Sequence, residues 1–128
     1  MSGKCLVDTN VIIRLLRSDE RSALLFDKAD TICVPSIVAG ELFYGAENST
    51  RKQENLEIFN DFLAQYDVVE VTLEVSSVYG EIKAQLKRDG ISIPENDLWI
   101  AAIAKFHNYT LLSFDNHFLN INGLQVLS

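Results

Sequence analysis

Residues 5–13 read CLVDTNVII, and the fold turns on how that stretch divides. Cys5, Leu6 and Val7 form one apolar run, Val11, Ile12 and Ile13 form another, and Asp8, Thr9 and Asn10 lie between them. The first run fits a fully buried strand, and the second fits a short helix over residues 10–17. Asp8 then stands at the end of a hydrophobic strand, where a carboxylate is costly to desolvate unless something pairs with it.

The remaining sequence repeats this alternation. Residues 19–29 predict a second helix with Ala23, Leu24 and Phe26 on its apolar side. TICVP (31–35) reads as a strand closed by Pro35, and Ser36 is placed to cap the helix SIVAGELFYGAENS. Residues 51–65 set Leu56, Phe59 and Leu63, with Tyr66 just beyond, on one helical stripe. DVVEVT (67–72) predicts a strand. Thr72 then caps a helix whose Val75, Val78, Tyr79, Ile82 and Leu86 share a face, and which ends at Gly90. Pro94 opens PENDLWIAAIAKFHN, and YTLLSF (109–114) and LQV (124–126) complete the strands. Short apolar strands separated by helices imply an α/β fold with a central parallel sheet flanked by helices on both faces. No linker or repeat divides residues 1–128, which are expected to form one domain with its ligand beyond the carboxyl ends of the strands.

Composition narrows the function. With 48% apolar residues and no low-complexity tract, the chain has the makings of a packed core. No run approaches the roughly 18 apolar residues of a membrane span. MSGKCLVD passes directly into a strand with no room for a signal peptide, so a cytoplasmic protein is expected. Cys5 and Cys33 sit in apolar strand-like runs, as small core residues with reduced thiols. A net charge of −7 argues against a general nucleic-acid binder and is compatible with carboxylates gathered around a cation.

The positions of four acids favour the cation. Asp115, like Asp8, follows an apolar strand, so the two can face each other across the crevice of a parallel sheet, or each can cap the next helix. Glu41 follows Ile37 by four residues and Val38 by three, on the apolar face of its helix, where a charge is rarely left unpaired. Asp97 shares a face with Ala101 and Ala104 and lies in the first turn, where the helix dipole favours its anion. Brought together, the four would raise one another's pKa, and a divalent cation removes that conflict. An all-oxygen donor set without a Cys or His cluster favours Mg²⁺ or Mn²⁺ over zinc, and such a site suits phosphodiester hydrolysis.

Taken together, VDTNVII, SIVAGELFYGAENSTRKQENL, DGISIPENDLWIAAIAKFHNYTLLSFDNHF and INGLQVL resemble the PIN-domain ribonucleases, in particular the VapC toxins of type II toxin–antitoxin systems. The likeness covers nearly the whole chain. The family's acids fall on Asp8, Glu41, Asp97 and Asp115, the four already selected by position. The resemblance implies a Mg²⁺- or Mn²⁺-dependent endoribonuclease cutting structured RNA, a small VapB-type antitoxin as partner, and a homodimer. Thr9 and Ser113 match hydroxyl positions that orient carboxylates or water, Ser113 standing where Thr is frequent. Asn10 and Asn96 match positions with supporting roles. Since four of the negative charges belong to the site, the acidity of the chain is a weak objection to an RNA substrate.

Other residues carry less. Arg14 with Arg17, and Lys83 with Lys87, are spaced either to contact phosphate or simply to face solvent, and the second reading is preferred. His117 reads as a loop histidine rather than a substrate contact, and His107 as a helix-end residue complementing the dipole. Trp99 and Phe43 could stack a base but are expected in the core or an interface, whereas Phe43 and Tyr44 together could offer a partly exposed aromatic patch to a partner. Two rivals remain. A phosphatase of the haloacid-dehalogenase type would need a second Asp two residues after Asp8, where Asn10 stands; a phosphoenzyme on Asp8 would favour it. A catalytically silent PIN-like binding module would bind no metal.

Overall fold

A computed structural model describes residues 3–128. The buried run at the start is β1 (Lys4–Val7), followed after Asp8 by α1 (Thr9–Leu16) and α2 (Glu20–Lys28). Then come β2 (Thr31–Pro35), α3 (Ser36–Glu47), α4 (Lys52–Leu63), β3 (Asp67–Val69), α5 (Leu73–Arg88), α6 (Glu95–His107), β4 (Thr110–Leu112), a 3-10 turn (Asn116–Asn120) and β5 (Val126–Leu127). The five strands form one sheet in the order β3-β2-β1-β4-β5, with every neighbouring pair parallel.

β1 occupies the centre because it carries no polar side chain between Cys5 and Val7. These three residues alternate between the two faces of the sheet, and all are fully buried. Both faces are therefore covered, as the apolar strands required. Leu6 pairs with Cys33 of β2 and with Leu111 of β4, and the core continues through Ile12, Leu42, Ile100, Ile103, Leu112 and Phe118. α6 is the most enclosed helix, with Ile100 to Ala104 all fully buried. Its small residues allow close approach, and α5 packs along it. α5 stops where expected: Gly90 takes φ +69°, and Ile91 N–H returns to Leu86 O at 2.9 Å. Phe26, Phe62 and Tyr66 form an aromatic cluster beneath α2 and α4.

Some boundaries differ from the sequence reading. β3 covers only residues 67–69 of DVVEVT, because its partner β2 runs out at Pro35, which pairs with Val69. β4 likewise ends at Leu112, opposite Val7, beyond which β1 gives way to α1. β5 lies at Val126–Leu127, later than LQV. Ser36 does not cap α3; Pro35, held extended at ψ 141°, is the residue before the first turn, and Ser36 is already helical. In α2 the inward leucine is Leu25, while Leu24 is 57% exposed, since Asp19 caps the helix and sets its phase. In α4, Phe62 joins Phe59 in the core, shifting the buried stripe. Among the described residues no helix is long and apolar enough to cross a membrane.

Candidate metal centre

The chain passes from β1 to β2 on one side and reaches β4 on the other, which makes the carboxyl ends of β1 and β4 the switch point of the sheet. Asp8 follows β1, and its N–H donates to Leu112 O of β4 at 2.9 Å, so the two strand ends are tied together. Asp8, Glu41, Asp97 and Asp115 all line a cleft of about 370 Å³ at this point.

Each acid is held by named partners. Asp8 is 5% exposed; its Oδ1 accepts from Thr9 N–H at 2.8 Å and its Oδ2 from Ser113 Oγ at 2.7 Å. It thus both begins α1 and faces the cleft, so the capping and site readings are compatible. Ser113 in turn accepts from Asp115 N–H at 3.0 Å, linking the first and last acids through one hydroxyl. Thr9 Oγ1 donates to Glu41 Oε1 at 2.7 Å, and Asn96 Nδ2 reaches Glu41 Oε2 at 3.5 Å. Asn10 stands 3.4 Å from Asp8 Oδ2 through its Nδ2, and its Oδ1 accepts from Phe114 N–H at 3.2 Å. That side chain pins the turn after β4. It does not supply the acid that a phosphatase would need there.

Asp97 and Asp115 meet at His117. The imidazole Nδ1 lies 3.0 Å from Asp97 Oδ2 and 2.9 Å from Asp115 Oδ1, and Asp115 Oδ1 also accepts from His117 N–H at 3.0 Å. Asp97, Asp115 and His117 can bring one donor atom each within 4.8 Å of one another. The histidine read from sequence as a loop residue thus touches two of the four acids. Its only sequence signal was the Asp-x-His spacing, which lets Asp115 cap the short turn that carries the ring inward.

The electrostatics follow from this crowding. Burial, reinforced by the charges of Asp97 and Glu41, pushes Asp8 up to about 6 despite the opposing bonds from Ser113 and Thr9. Burial raises Asp97 as well, with Asp115 and Glu41 adding to it while the His117 contact opposes it. His117 is raised chiefly by its bond to Asp97. Carboxylates disfavoured as anions by burial and by one another are groups that a bound cation would stabilise. The donors are oxygens with one imidazole at the edge, a set that fits a hard divalent ion.

The other residues sort themselves. Lys83 pairs with Glu95 at 3.4 Å and, with Lys87, lines a different hollow, so neither reaches the acids. Trp99 stacks on Tyr79 at 3.8 Å between ring centres, and Phe43 is half-buried against the core. Tyr44 is 71% exposed. His107 stacks on Tyr109 in the last turn of α6. Both thiols are buried, Cys33 Sγ donating to Cys5 O at 3.5 Å.

Comparison with known proteins gives the family. The PIN domain profile matches residues 5–124. The chain is 34% identical over 112 residues to ribonuclease VapC2 of Haemophilus influenzae, covering 86% of this chain and 85% of that protein. It is 28% identical over 128 residues to the tRNA(fMet)-specific endonuclease VapC of Shigella flexneri, covering 95% of each. Its structure superposes on a chain of VapBC2 from Rickettsia felis, solved bound to a DNA fragment from their promoter, with a TM-score of 0.88, 28% identity and 98% of both chains covered. The chain belongs to the PIN domain family, in which its relatives are the VapC ribonucleases.

Proposed function

We propose that this protein is a metal-dependent endoribonuclease that hydrolyses phosphodiester bonds of RNA, and that it is the toxin of a VapBC-type pair. The observation that carries the reading is the convergence of Asp8, Glu41, Asp97 and Asp115 on one cleft at the ends of β1 and β4. The relatives named as ribonucleases and the likeness to a VapBC complex support it.

In this reading the four acids are the catalytic and metal-holding residues, and the ion is Mg²⁺ or Mn²⁺. When bound, such an ion supplies an activated water and polarises the phosphoryl oxygen. The protein's part is orientation. Ser113 and the Thr9 N–H each hold one oxygen of Asp8, which orients its carboxylate at the cleft. Thr9 and Asn96 do the same for Glu41. Asn10 anchors the backbone that carries Ser113 and Asp115. These four are supporting residues, and their hydrogen bonds set where the acids point.

The reading extends to a cognate VapB-type antitoxin, a homodimer, a cytoplasmic location, and residues 1–128 as a single domain. The test is to induce the chain without a partner and sequence the 5′ ends of cellular RNA, alongside purified protein assayed in EDTA and in Mg²⁺ or Mn²⁺. New 5′ ends absent in Asp8→Asn, and cleavage that needs the ion, support the reading. Full activity in EDTA, or an equally active Asp8→Asn, overturns it.

A further inference from the structure

Three of the chain's five arginines, Arg14, Arg17 and Arg21, fall within eight positions of a protein whose net charge is −7. Two of them converge on one ring. The guanidinium carbon of Arg14 lies 4.5 Å from the centre of Phe114, and that of Arg21 lies 4.6 Å from the same centre. The backbone that carries the ring is tied to the site, because Phe114 sits between Ser113 and Asp115 and its N–H donates to Asn10. Arg14 and Arg17 line the acidic cleft itself.

Two cations gathered on one aromatic side chain repel each other, and the ring offsets only part of that. Among the described residues neither guanidinium is in an ion pair. Asp19 is close enough for both to help lower its pKa, after the larger effect of its bonds to Ser22, but it bridges neither. With no salt bridge to either among the described residues, both guanidinium forks keep donors that an oxyanion can accept from. Their place at the lip of a cleft built for phosphodiester chemistry says which anion fits, since guanidinium forks match phosphate oxygens in geometry as well as charge.

We propose that Arg14 and Arg21, set on Phe114, form a clamp for a backbone phosphate of the RNA strand flanking the scissile bond. This rests on the ribonuclease reading above. It also gives a polyanion a place to dock beside four carboxylates that would otherwise repel it. Arg17, one turn beyond Arg14, extends the same positive edge along the cleft.

The test measures binding and cleavage separately. Binding of a fluorescein-labelled mixed-sequence RNA oligonucleotide is followed by anisotropy across a salt series, in an Asp97→Asn background with Mg²⁺. Arg14→Gln and Arg21→Gln should each weaken binding by about tenfold and lower the salt slope by about 0.7 per lost contact. Arg51→Gln, an exposed arginine paired with Glu54, controls for loss of charge as such and should leave the slope unchanged. On cellular RNA with Asp97 intact, the arginine variants should raise KM while kcat stays within about twofold, the mark of uniform binding. Arg14→Lys, which keeps charge but loses the planar fork, should fall between. Both arginines are exposed, so a thermal melt should show native folding. If wild type cleaves and the variants keep its KM and slope, the clamp alone is overturned. If the variants lose a co-expressed antitoxin with no change in slope, the pair serves a protein interface and the clamp is again overturned. If wild type cleaves nothing but the slopes change, the RNA contact stands and the nuclease reading falls.

Discussion

Replacing Asp8 by Asn should make the metal-free protein more stable, even as it removes activity. The carboxyl group is buried at the end of β1 and titrates at about 6, against 3.8 for an ordinary aspartate. Because the folded pKa lies above the unfolded one, the folded state holds this proton more tightly. The group costs nothing below about pH 4, its penalty builds between the unfolded value of 3.8 and the folded value of about 6, and it is complete above that. A shift of roughly two units corresponds to about 3 kcal/mol at neutral pH, which for a domain of this size is on the order of 10 °C in Tm. Asn retains an oxygen for the Thr9 N–H and can still bond Ser113, so the figure is an upper value set by ionisation alone. The assay is a thermal melt of wild type and Asp8→Asn in EDTA at pH 7.5 and at pH 4, and again with millimolar Mg²⁺. The mutant should melt several degrees higher at pH 7.5, and the gap should close at pH 4. Mg²⁺ should raise the wild type by binding only the folded state, and should raise the mutant much less. A wild type that melts at or above the mutant in EDTA at pH 7.5 would refute the crowding argument.

Three other outcomes are expected. Ser113→Ala removes the bond that holds Asp8 Oδ2 and favours its anion, so the Asp8 pKa of the metal-free protein should rise further, read by carboxyl-carbon NMR, and turnover should fall by about 10- to 100-fold. Asp97→Asn should relieve the growth arrest caused by expressing the chain alone, scored by colony counts; equal toxicity would place the harm outside the cleft. Gly90→Ala should lower Tm by a few degrees, about 1 kcal/mol, because a side chain is strained at φ +69° although nothing lies within 4 Å of the added carbon.

Asp8 and Asp115 were legible because an acid abutting a buried strand has few places to go, and Glu41 and Asp97 because helical phase turned them inward. What the sequence could not show was which contacts distant segments would make. His117 lies 20 residues from Asp97, and only the placement of α6 beside the turn after β4 brings the two together. The Arg14–Phe114–Arg21 stack is hidden for the same reason, since nothing local to Phe114 shows which cations its ring will meet. Strand ends were misread where the partner decides them: Val71 is as strand-like as Val68, but β2 has already turned into α3. Ser113 and Thr9 came from the family likeness, and the hydrogen bonds now give them a physical task.

The bond from Ser113 to Asp8 spans 105 residues. At a synthesis rate of about 5–20 residues per second, its two ends leave the ribosome roughly 5–20 s apart. Through that interval the growing chain carries acids but no cleft, because β4, which brings Ser113 and Asp115 to Asp8, has yet to join the sheet. A fragment cut short anywhere before β4 is equally without one. The sheet order that places β1 beside the late strand β4 thus acts as a timer, withholding the nuclease until the strand that closes it has been made.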